Sequence, residues 1–201
     1  YVIGTPLSDH VTINSQGNGQ LKVHADFLPG GNFVTVNAAA VEKILAYLCD
    51  GDDDMTIAGN IAIPAILHGG GGADRLNAGG GPSVLLGGAG NDMLNGSSAR
   101  SILIGGVGRD RLVGGSGDDV LIGGSTSEDE DDDVLMDALL AWMSTDGYDA
   151  RVTAVVDALC SVLDDGDEDP LTGAAGRDVF FKGLADILTD VSTKKDPETV
   201  L

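Results

Sequence analysis

The stretch "GGGGADRLN-AGGGPSVLL-GGAGNDMLN", residues 69–95 divided into nines, decides how this chain folds. Leucine stands in the eighth place of every nine (Leu76, Leu85, Leu94), but aspartate holds the sixth place only in the first and third, at Asp74 and Asp92. The next nines, "GSSARSILI" (96–104), "GGVGRDRLV" (105–113) and "GGSGDDVLI" (114–122), extend the leucine row through Leu103, Leu112 and Leu121. Nine residues make two and a half helical turns, so successive leucines on a helix would face opposite sides. Glycine at this density also disfavours a helix. A strand of about three residues followed by a glycine turn explains the period, with every leucine pointing into a narrow core between two stacked sheets. Two nines then complete one coil, and turns one coil apart stack at roughly 4.8 Å.

The pattern G-G-x-G-x-D-x-U-x in residues 69–77, 87–95, 105–113 and 114–122, degenerate in 78–86 and 96–104, resembles the RTX, or haemolysin-type, calcium-binding nonapeptide repeat. Looser copies are "GTPLSDHVT" (4–12), "LCDGDDDMT" (48–56), "DDGDEDPLT" (164–172) and "GAAGRDVFF" (173–181). The resemblance implies a mainly β chain, a right-handed parallel β-roll. A strand-rich N-terminal region (1–48) would precede the roll (49–125), and a two-helix insertion (126–163) the final roll turns and tail (164–201), all in one domain.

Several Ca2+ ions are the cofactor that the resemblance implies. Calcium takes about six to eight oxygen ligands, and glycine turns bring backbone carbonyls inward where a Cβ would obstruct. Carried over by residue, Asp74, Asp92 and Asp110 stack on one edge, with Gly70, Gly72, Gly88, Gly90, Gly106 and Gly108 in their turns. The opposite edge has Ser83 and Ser101 in the sixth places, with Pro82 and Arg100 before them. The expectation is a one-sided calcium ladder. Asp53 joins it if the three residues in excess of nine within 57–68 bulge out, and the turn from Gly123 could close a further site above Asp110. Asp119 has the right form on the opposite edge, with Asp169 or Asp178 as its partner; the insertion hides which edge those two occupy. A bare alternative is that each aspartate only caps backbone N–H groups. Stacked carboxylates without a cation repel, so the calcium-free roll should be partly unfolded.

Composition agrees with cation binding. Thirty-two acidic against 11 basic residues leave a net charge of −21, which disfavours nucleic acid and anionic membranes as partners. Hydrophobic residues at 42% are too many for a disordered acidic tail. No apolar run of about 20 residues suggests a membrane span, and no signal peptide is evident. The chain opens on Tyr1 within a strand-like segment, which reads as a processed or excised piece of a longer protein. Cys49 and Cys160 are either one disulfide or two buried thiols.

Outside the repeats, "HVTI", "QLKVHA" and "NFVTV" read as strands, and "AAAVEKILAYL" (38–48) as a strand from Val41. After Gly124, Val134, Leu135, Ala138, Leu139, Trp142 and Met143 share one helical face, with Ser127 and the acidic run as its N-terminal signal. Val152, Val155, Val156, Leu159 and Leu163 share another. These faces read as core and as a cap on an exposed sheet end. His10, His24 and His68 read as surface or packing residues, and the acidic run 128–133 as solvated.

No G-x-S-x-G, HExxH, Cys/His pair or P-loop is present, and the carboxylate spacing is already explained by metal. The expected protein is therefore not an enzyme. It is a calcium-binding structural or export module of a secreted, extracellular or bacterial cell-surface protein, folding where calcium is millimolar. Two other functions fit: a self-assembling filament or layer subunit joined as a homo-oligomer through its roll ends, and a carbohydrate-binding roll. Eleven scattered Lys and Arg supply no basic stripe for the latter.

Overall fold

The eighth-place residues form the spine of two facing sheets. The computed structural model describes residues 1–30, 33–159, 161–189 and 199–201. In spatial order, the first sheet contains Val2–Ile3, Ile44–Tyr47, Ala65–Gly71, Ser83–Ala89, Ser101–Val107, Val120–Ile122, Val179–Phe181 and Thr199–Val200, all parallel. The second contains Ile187–Leu188, Pro170–Ala174, Arg111–Gly115, Met93–Asn95, Arg75–Asn77, Asp54–Ile57 and His10–Ser15, also parallel. The antiparallel strands Gln20–Ala25 and Phe33–Asn37 extend it at the N-terminal end. From Ala65 to Ile122 the chain alternates between the sheets at every strand.

Register follows the leucine row. Leu67, Leu85, Leu103, Leu121 and Phe180 are successive partners in the first sheet. Met55, Leu76, Leu94, Leu112 and Leu171 are successive partners in the second. All ten are fully buried in one core. Each coil adds another apolar side chain to both walls of that core, so burial accumulates rung by rung.

Three first-sheet strands are longer than the expected three residues. Ala65–Gly71, Ser83–Ala89 and Ser101–Val107 each span seven, because pairing continues through the glycines: Gly70 to Gly88 to Gly106. Backbones that lack a Cβ can stay in the ladder where the chain begins to turn.

The N-terminal region both contributes to the sheets and closes the core. Leu21, Val23, Ala25, Phe27, Leu28 and Val36 pack onto the same cluster as the leucine row. The strand expected from Val41 begins instead at Ile44, because Ala38–Ala40 forms a short 3-10 turn capped by the Asn37 side chain. The excess residues of 57–68 are taken up on the edge away from Asp53, where Ala58 accepts from the Ile61 N–H and Ile61 from the Gly80 N–H.

Helices α1 (Asp132–Met143) and α2 (Tyr148–Ala158) pack on the outer face of the first sheet, not on a sheet end as expected. Even-numbered nines carry apolar residues on both sides of the leucine: Val84 and Leu86, Ile102 and Ile104, Val120 and Ile122. These form a second core with Leu135, Ala138, Leu139, Trp142, Val155 and Leu159. Odd-numbered nines place Arg75, Asn77, Asn95 and Arg111 at such positions on the other sheet. Asp131, not Ser127, caps α1, its carboxylate accepting from the N–H groups of Asp133 and Val134. Asp132, in the first turn of that helix, binds both Tyr47 and His68, whose rings stack at 4.7 Å, so His68 is a packing residue. Helix α2 ends at Ala158, so Leu163 is not on its face: Val162–Leu163 pairs antiparallel with Ser125–Thr126 and joins the two ends of the insertion.

Candidate metal centre

Asp53, Asp74, Asp92, Asp110 and Asp169, with Asp9 and Asp186 at the ends, form a hydrogen-bonded chain running along one edge. The Asp9 N–H donates to Asp53 Oδ1 at 2.6 Å, Asp53 to Asp74 at 2.8 Å, and Asp74 to Asp92 at 2.7 Å. Asp92 donates to Asp110 at 2.7 Å, Asp110 to Asp169 at 2.7 Å, and Asp169 to Asp186 at 3.3 Å. Capping thus accounts for one oxygen of each carboxylate. It leaves the other: Oδ2 of Asp53, Asp74, Asp92, Asp110 and Asp169 is buried with no hydrogen-bonding partner among the described residues. At the two ends, Oδ2 is satisfied within its own turn, by the Thr5 N–H on Asp9 and the Gly183 N–H on Asp186.

For Asp74, Asp92 and Asp110 this oxygen lies where only glycine leaves room. A Cβ on Gly69 would lie 2.4 Å from Asp74 Oδ2, one on Gly87 2.4 Å from Asp92 Oδ2, and one on Gly105 2.5 Å from Asp110 Oδ2. The stacked turns approach as closely: a Cβ on Gly90 would lie 1.8 Å from the Gly72 carbonyl oxygen. Gly70, Gly72, Gly88, Gly90, Gly106 and Gly108 all have φ between 105° and 137°. Their counterparts on the other edge, Gly79, Gly80 and Gly81, are not left-handed. The 78–83 turn therefore differs from the first edge in its backbone as well as in its side chains, whereas Gly115 and Gly176, in the turns of Asp119 and Asp178, are left-handed at φ 127° and 126°.

On the second edge the Ser101 N–H donates to Asp119 Oδ1 at 2.7 Å, and the Asp119 N–H to Asp178 Oδ1 at 2.8 Å. The insertion had hidden the edges of Asp169 and Asp178: Asp169 lies on the first, Asp178 on the second beside Asp119. Elsewhere this edge is held by cationic side chains. Arg151, only 5% exposed on α2, pairs with Asp118 at 2.7 Å and stacks on Trp142. Arg100 lies 3.6 Å from the same carboxylate and donates to the carbonyls of Trp142 and Ser144. The Arg177 guanidinium lies 3.7 Å above the Tyr148 ring.

Burial pushes the carboxyls of Asp53, Asp74 and Asp92 up to about 6, Asp169 to about 7, and Asp110 and Asp119 to about 8. Neighbouring carboxylates add to this for most of them, as for Asp110 beside Asp92 and Asp169. A row of dry, mutually repelling acceptors is suited to a hard cation. No three His, Cys, Asp or Glu side chains converge on one point among the described residues. The aspartates form a row, so backbone carbonyls of the stacked turns would have to complete each ion's shell.

The structure thus brings together Asp53, Asp74, Asp92 and Asp110 with their glycines, and separately Asp119 with Asp178. Asp9 lies in the looser copy 4–12 but was not named as a site residue, and Asp186 was missed, although both stand two places before a core residue (Val11 and Leu188) as the repeat requires. Cys49 is exposed, which excludes two buried thiols, and Cys160 lies outside the described residues. No helix among the described residues is long and apolar enough to cross a membrane.

Residues 68–103 and 97–126 match the family model of the RTX calcium-binding nonapeptide repeat. This part of the chain is an RTX repeat region, and such regions bind several Ca2+ ions. Comparisons with curated proteins and with solved structures gave no match.

Proposed function

We propose that the chain is a noncatalytic calcium-binding module, a right-handed parallel β-roll that folds on binding Ca2+ and serves as a structural or export part of a secreted or cell-surface protein. The observation carrying this reading is the row of buried, unpartnered Oδ2 atoms on Asp53, Asp74, Asp92, Asp110 and Asp169. Bound calcium would neutralise these carboxylates and join adjacent turns. The chain's part is to hold the row in register through the Oδ1 bonds, keep it dry, and present glycine carbonyls. Outside the cell, calcium is abundant enough to fill weak sites, which ties folding to export. Closure of the ladder by Thr5 and Gly183 favours a self-contained module over continuation into a second copy along this edge.

Circular dichroism in millimolar calcium and in chelator tests the reading. Ordered β structure should appear cooperatively with calcium. An unchanged spectrum and unchanged melting temperature on chelation would refute it.

A further inference from the structure

The turn that follows Asp110 on the first edge is divided by the helical insertion. Gly123 occupies the first place of that turn: a Cβ there would meet Asp169 Oδ2 at 2.5 Å, the relation that Gly105 has to Asp110 within a continuous turn. The turn begins at Gly123–Gly124, where the Gly106 N–H donates to both carbonyls. It leaves for the helices at Ser125 and returns through Val162–Leu163 to finish at Asp169. The returning half also stacks on the turn below, with Asp165 Oδ2 accepting from the Gly108 N–H at 2.7 Å. Asp110 and Asp169 are 1% and 0% exposed, and Oδ2 of each has no partner among the described residues.

We infer that Asp110 and Asp169 bound a composite calcium site, closed by two segments on either side of the helical insertion, which fastens the base of the helix pair to the roll. This rests on the calcium reading above and extends it beyond the matched repeats. A cation there neutralises two buried carboxylates only when the outgoing strand Ser125–Thr126 and the returning strand Val162–Leu163 are paired. Calcium occupancy and closure of the insertion are therefore linked.

The test is calcium binding and amide hydrogen exchange on the full chain at saturating calcium, comparing wild type, Asp169→Asn, Asp110→Asn and Asp74→Asn. Asparagine keeps the Oδ1 acceptor for the preceding N–H and puts a neutral NH2 in place of the charged Oδ2, so the stacking hydrogen bond is retained. Asp169→Asn and Asp110→Asn should each bind at least one ion fewer and exchange about tenfold faster at 123–126 and 162–169. Asp74→Asn should lose calcium without exposing that base. Wild-type ion count and protection in Asp169→Asn, or base exchange in wild type that ignores calcium, would overturn the inference. A wild-type chain that binds no calcium at all would instead defeat the general reading, and this site with it.

Discussion

The backbone N–H of Asp92 donates to Oδ1 of Asp110 at 2.7 Å, while Oδ2 of the same Asp110 carboxylate is buried with no partner among the described residues. One oxygen therefore builds the stack and the other is left for a cation. The stack should be conditionally stable, and its dependence on charge can be measured directly.

The first consequence concerns pH. The carboxyls of Asp53, Asp74 and Asp92 are pushed up to about 6 and that of Asp110 to about 8, all above their values in the unfolded chain. A raised folded-state pKa contributes stability at low pH that is lost as pH rises through it. Without calcium, the melting temperature should therefore fall between pH 5 and about 8, measured by circular dichroism. With millimolar calcium the trend should invert, because ion binding requires ionised carboxylates. A calcium-free melting temperature that rises over this window would contradict the assignment.

Neutralising one rung should separate folding from binding. Asp92→Asn keeps the acceptor for the Asp74 N–H but removes a desolvated charge. Its calcium-free form should melt higher than wild type, by about 2–4 °C for each kcal/mol of relieved repulsion and desolvation. Its calcium affinity should be lower. Scanning calorimetry in chelator and in calcium reads both effects.

Turn glycines should differ sharply in their tolerance. Gly88 has φ +105°, and a Cβ there would lie 2.2 Å from the Gly70 carbonyl oxygen, so Gly88→Ala should cost about 2 kcal/mol or more even with calcium present. Gly59 has no atom within 4 Å of an added Cβ, and Gly59→Ala should stay within about 0.5 kcal/mol. Chemical denaturation in calcium compares them.

Asp118 is the ionic anchor of the helices. Asp118→Ala leaves the buried Arg151 guanidinium without its carboxylate, at a cost of about 3 kcal/mol or more. Trp142, the single tryptophan of the chain, also donates its indole N–H to the Asp118 carbonyl at 2.7 Å. Its emission should shift to the red as the helices loosen. Unchanged emission and stability would remove the anchor role.

The leucine row and the aspartate phase were legible because both follow directly from the geometry of a coil: Leu76 and Leu94 pair in one sheet, Leu85 and Leu103 in the other. Asp53 was legible on the condition that the excess residues of 57–68 bulge out, and the structure takes them up on the opposite edge. The covered outer face was written in the sequence but not read. "SVLL", "SILI" and "DVLI" carry apolar residues on both sides of the leucine, whereas "DRLN" and "DMLN" do not. Of the divided turn only the Gly123 half was legible, because Asp169 is joined to it solely by the return of the chain through Val162–Leu163. The roles of Arg100, Arg151 and Arg177 likewise depend on which edge the insertion covers.

Counting bound ions tests the central claim most directly. Five rungs with an unpartnered Oδ2, Asp53, Asp74, Asp92, Asp110 and Asp169, enclose four intervals on the first edge, and Asp119 with Asp178 enclose one on the second. Equilibrium dialysis at saturating calcium should give about five ions per chain, with Asp92→Asn reducing the number. A chain that folds fully in chelator and retains no calcium after dialysis would contradict the account.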